Sequence, residues 1–316
     1  MERVLITGSL GQIGSELMVT LRDKYGADNV IVTGHVKAPS EEVLKAGPFE
    51  TLDATHMESI SHIVKKYKIT TIYHMASILS ASAEKNPQFA WHVNMDSLYN
   101  ILEAGRLFKL SLFIPSSIAA FGPSSPKDMT PQDTIQRPTS MYGVTKVAGE
   151  LLCDYYFLKY GVDVRGLRYP GLISYATLPG GGTTDYAVEI YYEAIKHKTY
   201  SCFLKEDTSL DMMYMSDAIK GSIQLMEANP SKLIHRNAFN ISAMSFTPAM
   251  IAKSIQKIIP EFKITYDIDP VRQSIADSWP NSMDDSAARK EWGWKPTYNL
   301  DAMTKDMIEK LTLKLK

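Results

Sequence analysis

The chain has 316 residues, of which 45% are hydrophobic and 22% are charged, a composition typical of a globular protein with a large core. Lysine and arginine together number 34 and aspartate and glutamate 35, so the formal net charge is −1. This balance gives no sign of a surface for nucleic acid or for an anionic membrane.

Two cysteines, Cys153 and Cys202, are present. They are too few for a disulfide framework and form no CxxC pair for zinc, so we expect a reducing compartment and no metal site. No apolar run reaches the roughly 18 residues that cross a bilayer, and a strand-like run at 3–7 stands where a secretory signal would begin. We therefore expect no membrane partner and a cytoplasmic location, or the mitochondrial matrix in a eukaryote.

Short β-branched runs alternate with longer helical patterns through the first half of the chain. The pattern predicts strands at 4–7, 30–33, 71–74, 112–115 and 162–167. It predicts helices at 12–25, 57–67, 87–108 and 141–160. This alternation is typical of βαβ units, so we predict an α/β fold with a Rossmann-type, doubly wound parallel sheet.

The pattern changes after about Tyr169. Gly180-Gly181-Gly182 indicates a loop, 185–197 a helix, and 211–227 a strand and helix that rejoin the sheet. We predict a dinucleotide-binding domain over residues 1–171, with 208–244 returning to it. Residues 172–207 and 245–316 would form a smaller substrate-binding module over the carboxyl edge of the sheet.

A glycine pattern lies between the first strand and the first helix. Gly8, Gly11 and Gly14 form GxxGxxG, which allows a tight turn, a close approach to a pyrophosphate, and close packing of helix on strand. The N–H groups of the helix start, at Gln12 and Ile13, then face the phosphates. In this position the pattern predicts a dinucleotide site, although a glycine-rich turn without a ligand is the alternative.

The second strand should end in an acid that binds the adenosine ribose. It ends instead in Gly34, followed by His35-Val36-Lys37. Without the carboxylate a 2′-phosphate is no longer repelled, and His35 or Lys37 can attract one, so the choice between NAD and NADP stays open. Leu52 and Asp53 are predicted to contact the adenine, with a plain surface aspartate as the alternative.

Three side chains predict the chemistry. Tyr142 and Lys146 are four residues apart on a predicted helix and share a face. Ser117 follows the fourth predicted strand, at the edge where open α/β sheets bind ligands.

A free tyrosine is a weak base, with a reference pKa near 10. A lysine charge about 6 Å away, at an effective dielectric of about 20, stabilises a phenolate by roughly 3 kcal/mol. The set predicts removal of a substrate hydroxyl proton during hydride transfer.

With these residues identified, nearly the whole chain resembles the extended short-chain dehydrogenases, and more narrowly the L-threonine 3-dehydrogenases among them. The generic motifs are the three glycines, His74-Met75-Ala76-Ser77, Asn94, Ser117 and the Tyr142/Lys146 pair. The specific motifs are the stretches 113–122, 168–171, 179–186, 212–215, 240–242 and 275–280.

The resemblance implies oxidation of L-threonine at its 3-hydroxyl by NAD, giving 2-amino-3-oxobutanoate. It implies that Tyr142 is the base, Lys146 its partner and Ser117 the holder of the hydroxyl, and that the protein is a homodimer. The implied cofactor contacts are Gly8, Gly11, Gln12, Ile13, Gly14, Leu52, Asp53, Met75, Ala76, Ser77, Asn94, Tyr142, Lys146 and Tyr169. The implied substrate contacts are Ser80, Ser117, Tyr142, Thr184, Asp185 and Trp279.

Alternatives stay open from the residues alone. Thr183, Thr184 and Asp185 can simply cap a helix, and Trp279 can be part of a core. A nucleotide-sugar epimerase has the same generic motifs, whereas Ile118-Ala119 after Ser117 argues against a dehydratase, because dehydratases resemble one another in an acidic pair there. A non-catalytic dinucleotide sensor would not need the tyrosine–lysine pair.

Overall fold

Buried β-branched strands line up in parallel at the centre of the computed structural model, which describes residues 2–178, 180 and 182–315. The strands are β1 Val4–Thr7, β2 Val30–Gly34, β3 Phe49–Thr51, β4 Thr71–His74, β5 Ser111–Phe113, β6 Ser116–Ser117, β7 Val164–Arg165, β8 Leu167–Tyr169, β9 Gly171–Ile173, β10 Thr199–Cys202, β11 Leu210–Tyr214, β12 Phe239–Asn240, β13 Met244–Phe246 and β14 Lys263–Tyr266.

The helices follow and separate these strands. They are α1 Gln12–Tyr25, α2 Glu41–Lys45, α3 Met57–Tyr67, α4 Ser80–Lys85, α5 Pro87–Trp91, α6 Ser97–Phe108, α7 Met141–Tyr160, α8 Tyr186–His197, α9 Met215–Glu227, α10 Pro248–Gln256, α11 Pro270–Ser278, α12 Ser286–Trp292 and α13 Leu300–Lys314. A π-helical turn, His92–Asp96, joins α5 to α6. The predicted helices at 12–25, 57–67 and 141–160 are thus confirmed residue for residue.

The main sheet, counted over the described residues, has six parallel strands in the order β3-β2-β1-β4-β5-β7. Val4 of β1 lies beside Val30 on one side and Thr71 on the other. Helices cover both faces, so strands β1, β2 and β4 are buried along their whole length. The predicted α/β Rossmann-type fold is confirmed.

Some predicted boundaries are wrong, each for a physical reason. The strand β3 was missed because it is a three-residue edge strand whose side chains are half-buried or exposed, so it lacks an apolar pattern. The strand predicted at 162–167 is two strands, because Gly166 interrupts it and the chain then joins a second sheet. The helix predicted at 87–108 contains the π-helical turn.

Small sheets extend the fold beyond the main sheet. The strands β6, β8 and β12 form one, β9, β11 and β13 another, and β10 pairs with β14. Helix α9 packs beside α1, while α8, α10 and α13 surround a separate apolar cluster. Trp294, from the predicted substrate module, packs against Gly221 of α9 in the cluster around β1. The proposed division into two modules stays a prediction.

Candidate active site

The site lies where β1 and β4 end. Thr7 and His74 are partners in the strand register, and the Thr7 Oγ1 lies 2.8 Å from the His74 Nδ1. The Ser97 hydroxyl is 3.2 Å from the other ring nitrogen. Burial and the charge of Lys146 lower the pKa of His74 to about 3, so the ring is neutral at physiological pH. The imidazole therefore ties the two strand ends together and carries no charge.

The glycine loop after β1 fits a dinucleotide pyrophosphate. Gly8 has φ +63°, and a Cβ there would lie 2.7 Å from the Ala76 backbone nitrogen. A Cβ on Gly14 would lie 2.5 Å from the Gly8 carbonyl oxygen. Gly11 is the N-cap of α1 and has no side-chain acceptor for the first-turn N–H groups. The loop is therefore a tight backbone cradle at an uncapped, positive helix end, which suits phosphate oxygens.

The predicted adenosine contacts, which we call the adenosine end, lie at the edge of the sheet, beyond β2 and β3. The Leu52 N–H donates to the Gly34 carbonyl, and the Asp53 carboxylate accepts bonds from the N–H and hydroxyl of Thr55. The His35 Nδ1 lies 3.4 Å from Asp53. Burial raises the pKa of Asp53, but the Thr55 bonds and the neighbouring imidazoles outweigh it and lower the pKa overall. The Asp53 carboxylate is thus ionised and already partnered.

Helix α7 presents the predicted base and its partner. The helix begins after Ser140, whose hydroxyl accepts the Gly143 N–H. The Lys146 Nζ lies 5.3 Å from the centre of the Tyr142 ring and donates to the Pro115 carbonyl at 2.8 Å. This single bond fixes the ammonium between the aromatic ring and the strand end. The i, i+4 spacing therefore produces the predicted cation beside a phenol.

The hydroxyl predicted to hold the substrate, that of Ser117, lies on strand β6. Ser117 ends β6, and its Oγ accepts the Ala119 N–H at 3.2 Å, which leaves the Ser117 hydroxyl hydrogen for another acceptor. Its neighbour Ser116 donates to Glu150, two turns of α7 beyond Tyr142. The Arg168 guanidinium pairs with the same buried carboxylate at 2.8 Å. A buried ion pair thus fastens the Ser116–Ser117 strand to the catalytic helix.

These groups face one cleft of about 880 Å³. It brings together the predicted residues Gln12, Ile13, Met75, Ser77, Ser80, Ser117, Tyr142, Lys146, Tyr169, Thr184, Asp185 and Trp279. Cofactor candidates therefore meet substrate candidates at the Tyr142 ring. Pro179 and Gly181 of the predicted glycine-rich loop lie outside the described residues, whereas Gly180 and Gly182 line the cleft.

Other predicted contacts do not line this cleft, namely Gly8, Gly11, Gly14, Leu52, Asp53, Ala76 and Asn94, and Tyr169 lines it with its hydroxyl bonded elsewhere. Leu52 and Asp53 are at the adenosine end and outside this cleft. The Asn94 amide oxygen accepts the Ile78 N–H at 2.7 Å, which shapes the loop after β4. The Tyr169 hydroxyl bonds to Ser222 and not to the cleft. Ser77 borders both the cleft and a smaller cavity that Asn94 also lines.

The substrate end contains a residue that the motif-based assignment missed. Thr183 is 1% exposed, lines the cleft, and has a hydroxyl without a hydrogen-bond partner among the described residues. The Asp185 carboxylate accepts the Gly182 N–H at 2.7 Å and makes no side-chain cap of α8. The sequence indicated Thr183 only through its position beside Thr184, and a helix-capping role was the simpler interpretation of that position.

Comparison with known proteins identifies the scaffold. Residues 4–242 match the NAD dependent epimerase/dehydratase family. The chain belongs to this family. A Staphylococcus saprophyticus member, named only as an epimerase/dehydratase, is 59% identical over 98% of this chain and 97% of its own. Family membership makes this chain an enzyme of the oxidoreductase type that uses a nicotinamide nucleotide.

Solved structures of family members narrow the likeness. The L-threonine dehydrogenase of Clostridium difficile has a TM-score of 0.98 and 60% identity, with 99% of this chain and 98% of that chain covered. A monomeric L-threonine 3-dehydrogenase from a metagenome database has a TM-score of 0.94 and 45% identity, covering 99% and 100%. The resemblance to L-threonine 3-dehydrogenases is confirmed.

Two kinds of feature are absent from the described part of the chain. No helix there is long and apolar enough to cross a membrane. The same residues contain no group of three or more histidine, cysteine, aspartate or glutamate side chains placed to hold a metal ion.

Proposed function

We propose that this enzyme oxidises the 3-hydroxyl of L-threonine with NAD, yielding 2-amino-3-oxobutanoate. The observation that carries the proposal is the cleft itself, in which Tyr142, Lys146 and Ser117 meet the loop of Thr184 and Asp185. The 60% identity to the Clostridium difficile L-threonine dehydrogenase supports the same substrate.

The proposed mechanism assigns one task to each catalytic side chain. Ser117 holds the substrate hydroxyl oxygen, and the Tyr142 phenolate takes the hydroxyl proton. The Lys146 ammonium, fixed on the Pro115 carbonyl, stabilises that phenolate through its positive charge. When bound in the glycine cradle, the nicotinamide nucleotide supplies the acceptor for the hydride that leaves the same carbon. The threonine 3-carbon thus loses a hydride to the nicotinamide and its hydroxyl oxygen loses a proton to Tyr142, so the C–OH group becomes the C=O of a ketone.

The far end of the cleft has groups for both charges of an amino acid. The buried hydroxyls of Ser80 and Thr183 and the N–H group of the loop at Gly180 can donate to a carboxylate. The Asp185 carboxylate, 8% exposed, can accept from an ammonium. A small zwitterion fits this arrangement better than a nucleotide diphosphate, whose anionic charge would meet Asp185.

The test is an assay for reduced nicotinamide with L-threonine and, in parallel, with UDP-galactose. We expect turnover with threonine, and a loss of at least about a hundredfold in kcat for Tyr142→Phe with cofactor affinity retained. Tyr175→Phe, whose ring packs against the neighbouring apolar cluster, is the matched control. Turnover of the sugar alone would replace this proposal with the epimerase, and full activity in Tyr142→Phe would refute the assigned base.

For the cofactor we propose NAD in preference to NADP. The Asp53 carboxylate at the adenosine end would repel a 2′-phosphate, although Gly34 leaves the end of β2 without an acid. Comparing kcat/KM for the two cofactors tests the choice. A higher value with NADP would show that His35 and Lys37 dominate this end of the site.

We also propose that two copies associate through α6 and α7, helices that contact one another. Apolar side chains are exposed along both, namely Tyr99, Leu107, Leu151, Tyr155 and Leu158. Light scattering should give twice the chain mass of 35.4 kDa. Leu158→Glu should halve it, whereas Leu313→Glu, at a similarly exposed position on α13, should not. A wild-type mass of one chain, as the metagenome enzyme's description implies for that protein, would exclude this arrangement.

A further inference from the structure

Trp279, which lines the cleft, lies at the carboxyl end of α11. We define residues 277–284 as the strap and residues 125–132 as the connector loop. Trp279 is 6% exposed and lines the same cleft as Tyr142 and Lys146. Its position depends on what holds the strap.

A lysine of the connector loop holds the start of the strap. The Lys127 ammonium donates to the backbone carbonyl of Asp277, and to that of Trp279 at 3.1 Å. These carbonyls belong to the last turn of α11, which has no helical N–H left to satisfy them. A positive charge at a helix carboxyl end is also favourable for the helix dipole. The Lys127 ammonium therefore binds the backbone of the strap on both sides of Ser278.

Backbone pairing continues this contact along the strap. The Asn281 N–H donates to the Lys127 carbonyl at 2.7 Å, and the Asp284 N–H donates to the Thr130 carbonyl at 3.0 Å. Thr130 in turn donates its N–H to the Ser282 carbonyl at 2.9 Å. The strap and the connector loop thus form a short ladder, with Lys127 at the end nearest the cleft.

The connector loop is itself attached to the catalytic scaffold. The Gln132 carbonyl accepts the Arg168 guanidinium at 2.7 Å, and Arg168 pairs with Glu150 on the helix that carries Tyr142. A continuous series of bonds therefore joins the catalytic helix to the strap. A displacement of the strap relative to the connector loop therefore changes the distance between Trp279 and the Tyr142–Lys146 pair.

We propose that Lys127 is a positioning residue that seats Trp279 over the substrate and so sets the affinity for a small amino acid. The inference rests on the proposed function for its substrate and adds a residue that lies outside the cleft lining. Without the ammonium, two carbonyls at the end of α11 lose their partner, and the indole closes the cleft less completely. The substrate end of the site is affected, whereas the glycine cradle is not.

The chain offers a matched control. The Lys220 ammonium donates to the Lys295 carbonyl at 3.0 Å and to the Thr297 hydroxyl at 2.9 Å, which is a similar clamp remote from the cleft. Lys127→Met should raise the KM for L-threonine roughly tenfold, the loss expected for a hydrogen bond from a charged group. The KM for NAD should stay within about twofold, and Lys127→Arg should restore most of the affinity. Lys220→Met should leave both constants unchanged.

A double variant separates positioning from general damage. If Lys127 acts through the indole, Lys127→Met combined with Trp279→Phe should be no worse than Trp279→Phe alone. If the increases in KM caused by the two substitutions multiply in the double variant, or if Lys127→Met has the wild-type KM, the proposal is wrong.

Hydrogen exchange gives a readout that needs no substrate. The amides of Asn281, Ser282 and Asp284 should exchange faster in Lys127→Met and not in Lys220→Met. If exchange is faster in Lys127→Met but the wild-type enzyme does not oxidise threonine, the Lys127 contacts are supported and the proposed substrate is rejected. If exchange is unchanged in Lys127→Met and the wild-type enzyme does oxidise threonine, the positioning role of Lys127 is rejected and the proposed function is retained.

Discussion

Neutralising Glu150 tests how strongly the catalytic helix depends on its buried ion pair. The Glu150 and Arg168 side chains are 5% and 7% exposed. The carboxylate accepts two bonds from Arg168, at 3.0 and 2.8 Å, one from Gln136 at 2.7 Å, and one from Ser116. Glu150→Gln keeps the volume but places an NH2 group among donors and leaves the guanidinium without its counter-charge.

Removing one partner of a buried pair costs about 3–5 kcal/mol. We expect the lower end, about 3 kcal/mol, because Arg168 retains the Gln132 carbonyl and the Asn240 amide oxygen as acceptors. The same exchange in an exposed pair provides the control. Glu41 pairs with Lys45, with side chains 84% and 77% exposed, so Glu41→Gln should cost less than about 1 kcal/mol.

Urea unfolding measures both variants, with the midpoint read at an unchanged slope. Combining Glu150→Gln with Arg168→Met should recover about 1–3 kcal/mol of the summed losses, because neither charge is then left alone. If Glu150→Gln proves as mild as Glu41→Gln, or the double variant shows simple addition, the pair does not stabilise the fold in this way.

The remaining predictions concern pH and the cradle. His74 has a folded pKa of about 3, below its reference of about 6.5, so stability should fall as pH drops below 6.5, by up to about 1.4 kcal/mol per unit. His74→Asn should flatten that loss in urea midpoints at pH 6.5 and 5, and an unchanged slope would contradict the assignment. Gly14→Ala should destabilise the fold by about 1–3 kcal/mol and weaken NAD binding in a titration, because its Cβ would meet the Gly8 carbonyl. Ser15→Ala is its control, and equal effects of the two would disprove the steric argument.

Local periodicity and spacing were enough to predict the scaffold and the proximity of Tyr142 and Lys146. The i, i+4 spacing of Tyr142 and Lys146 on a helix places both on one face in any fold that keeps the helix. The glycines at 8, 11 and 14 fall between a strand and a helix, where backbone geometry permits little else. Both features depend on neighbours within a few residues, so the sequence contains all the information they need.

Tertiary packing decided the contacts between distant segments. Ser116 and Ser117 pair with Arg168 and Tyr169 on the next strand, and Ser116 and Arg168 both bond to Glu150 of α7, although no periodic pattern relates these positions. Similarly, Lys127 reaches the carbonyls of Asp277 and Trp279 across 150 residues of chain. Tyr169 and Asn94 match motifs, yet their polar groups are bonded to Ser222 and to the loop at Ile78. Such pairings depend on which surfaces bury each other, a property of the assembled core and not of any single stretch of sequence.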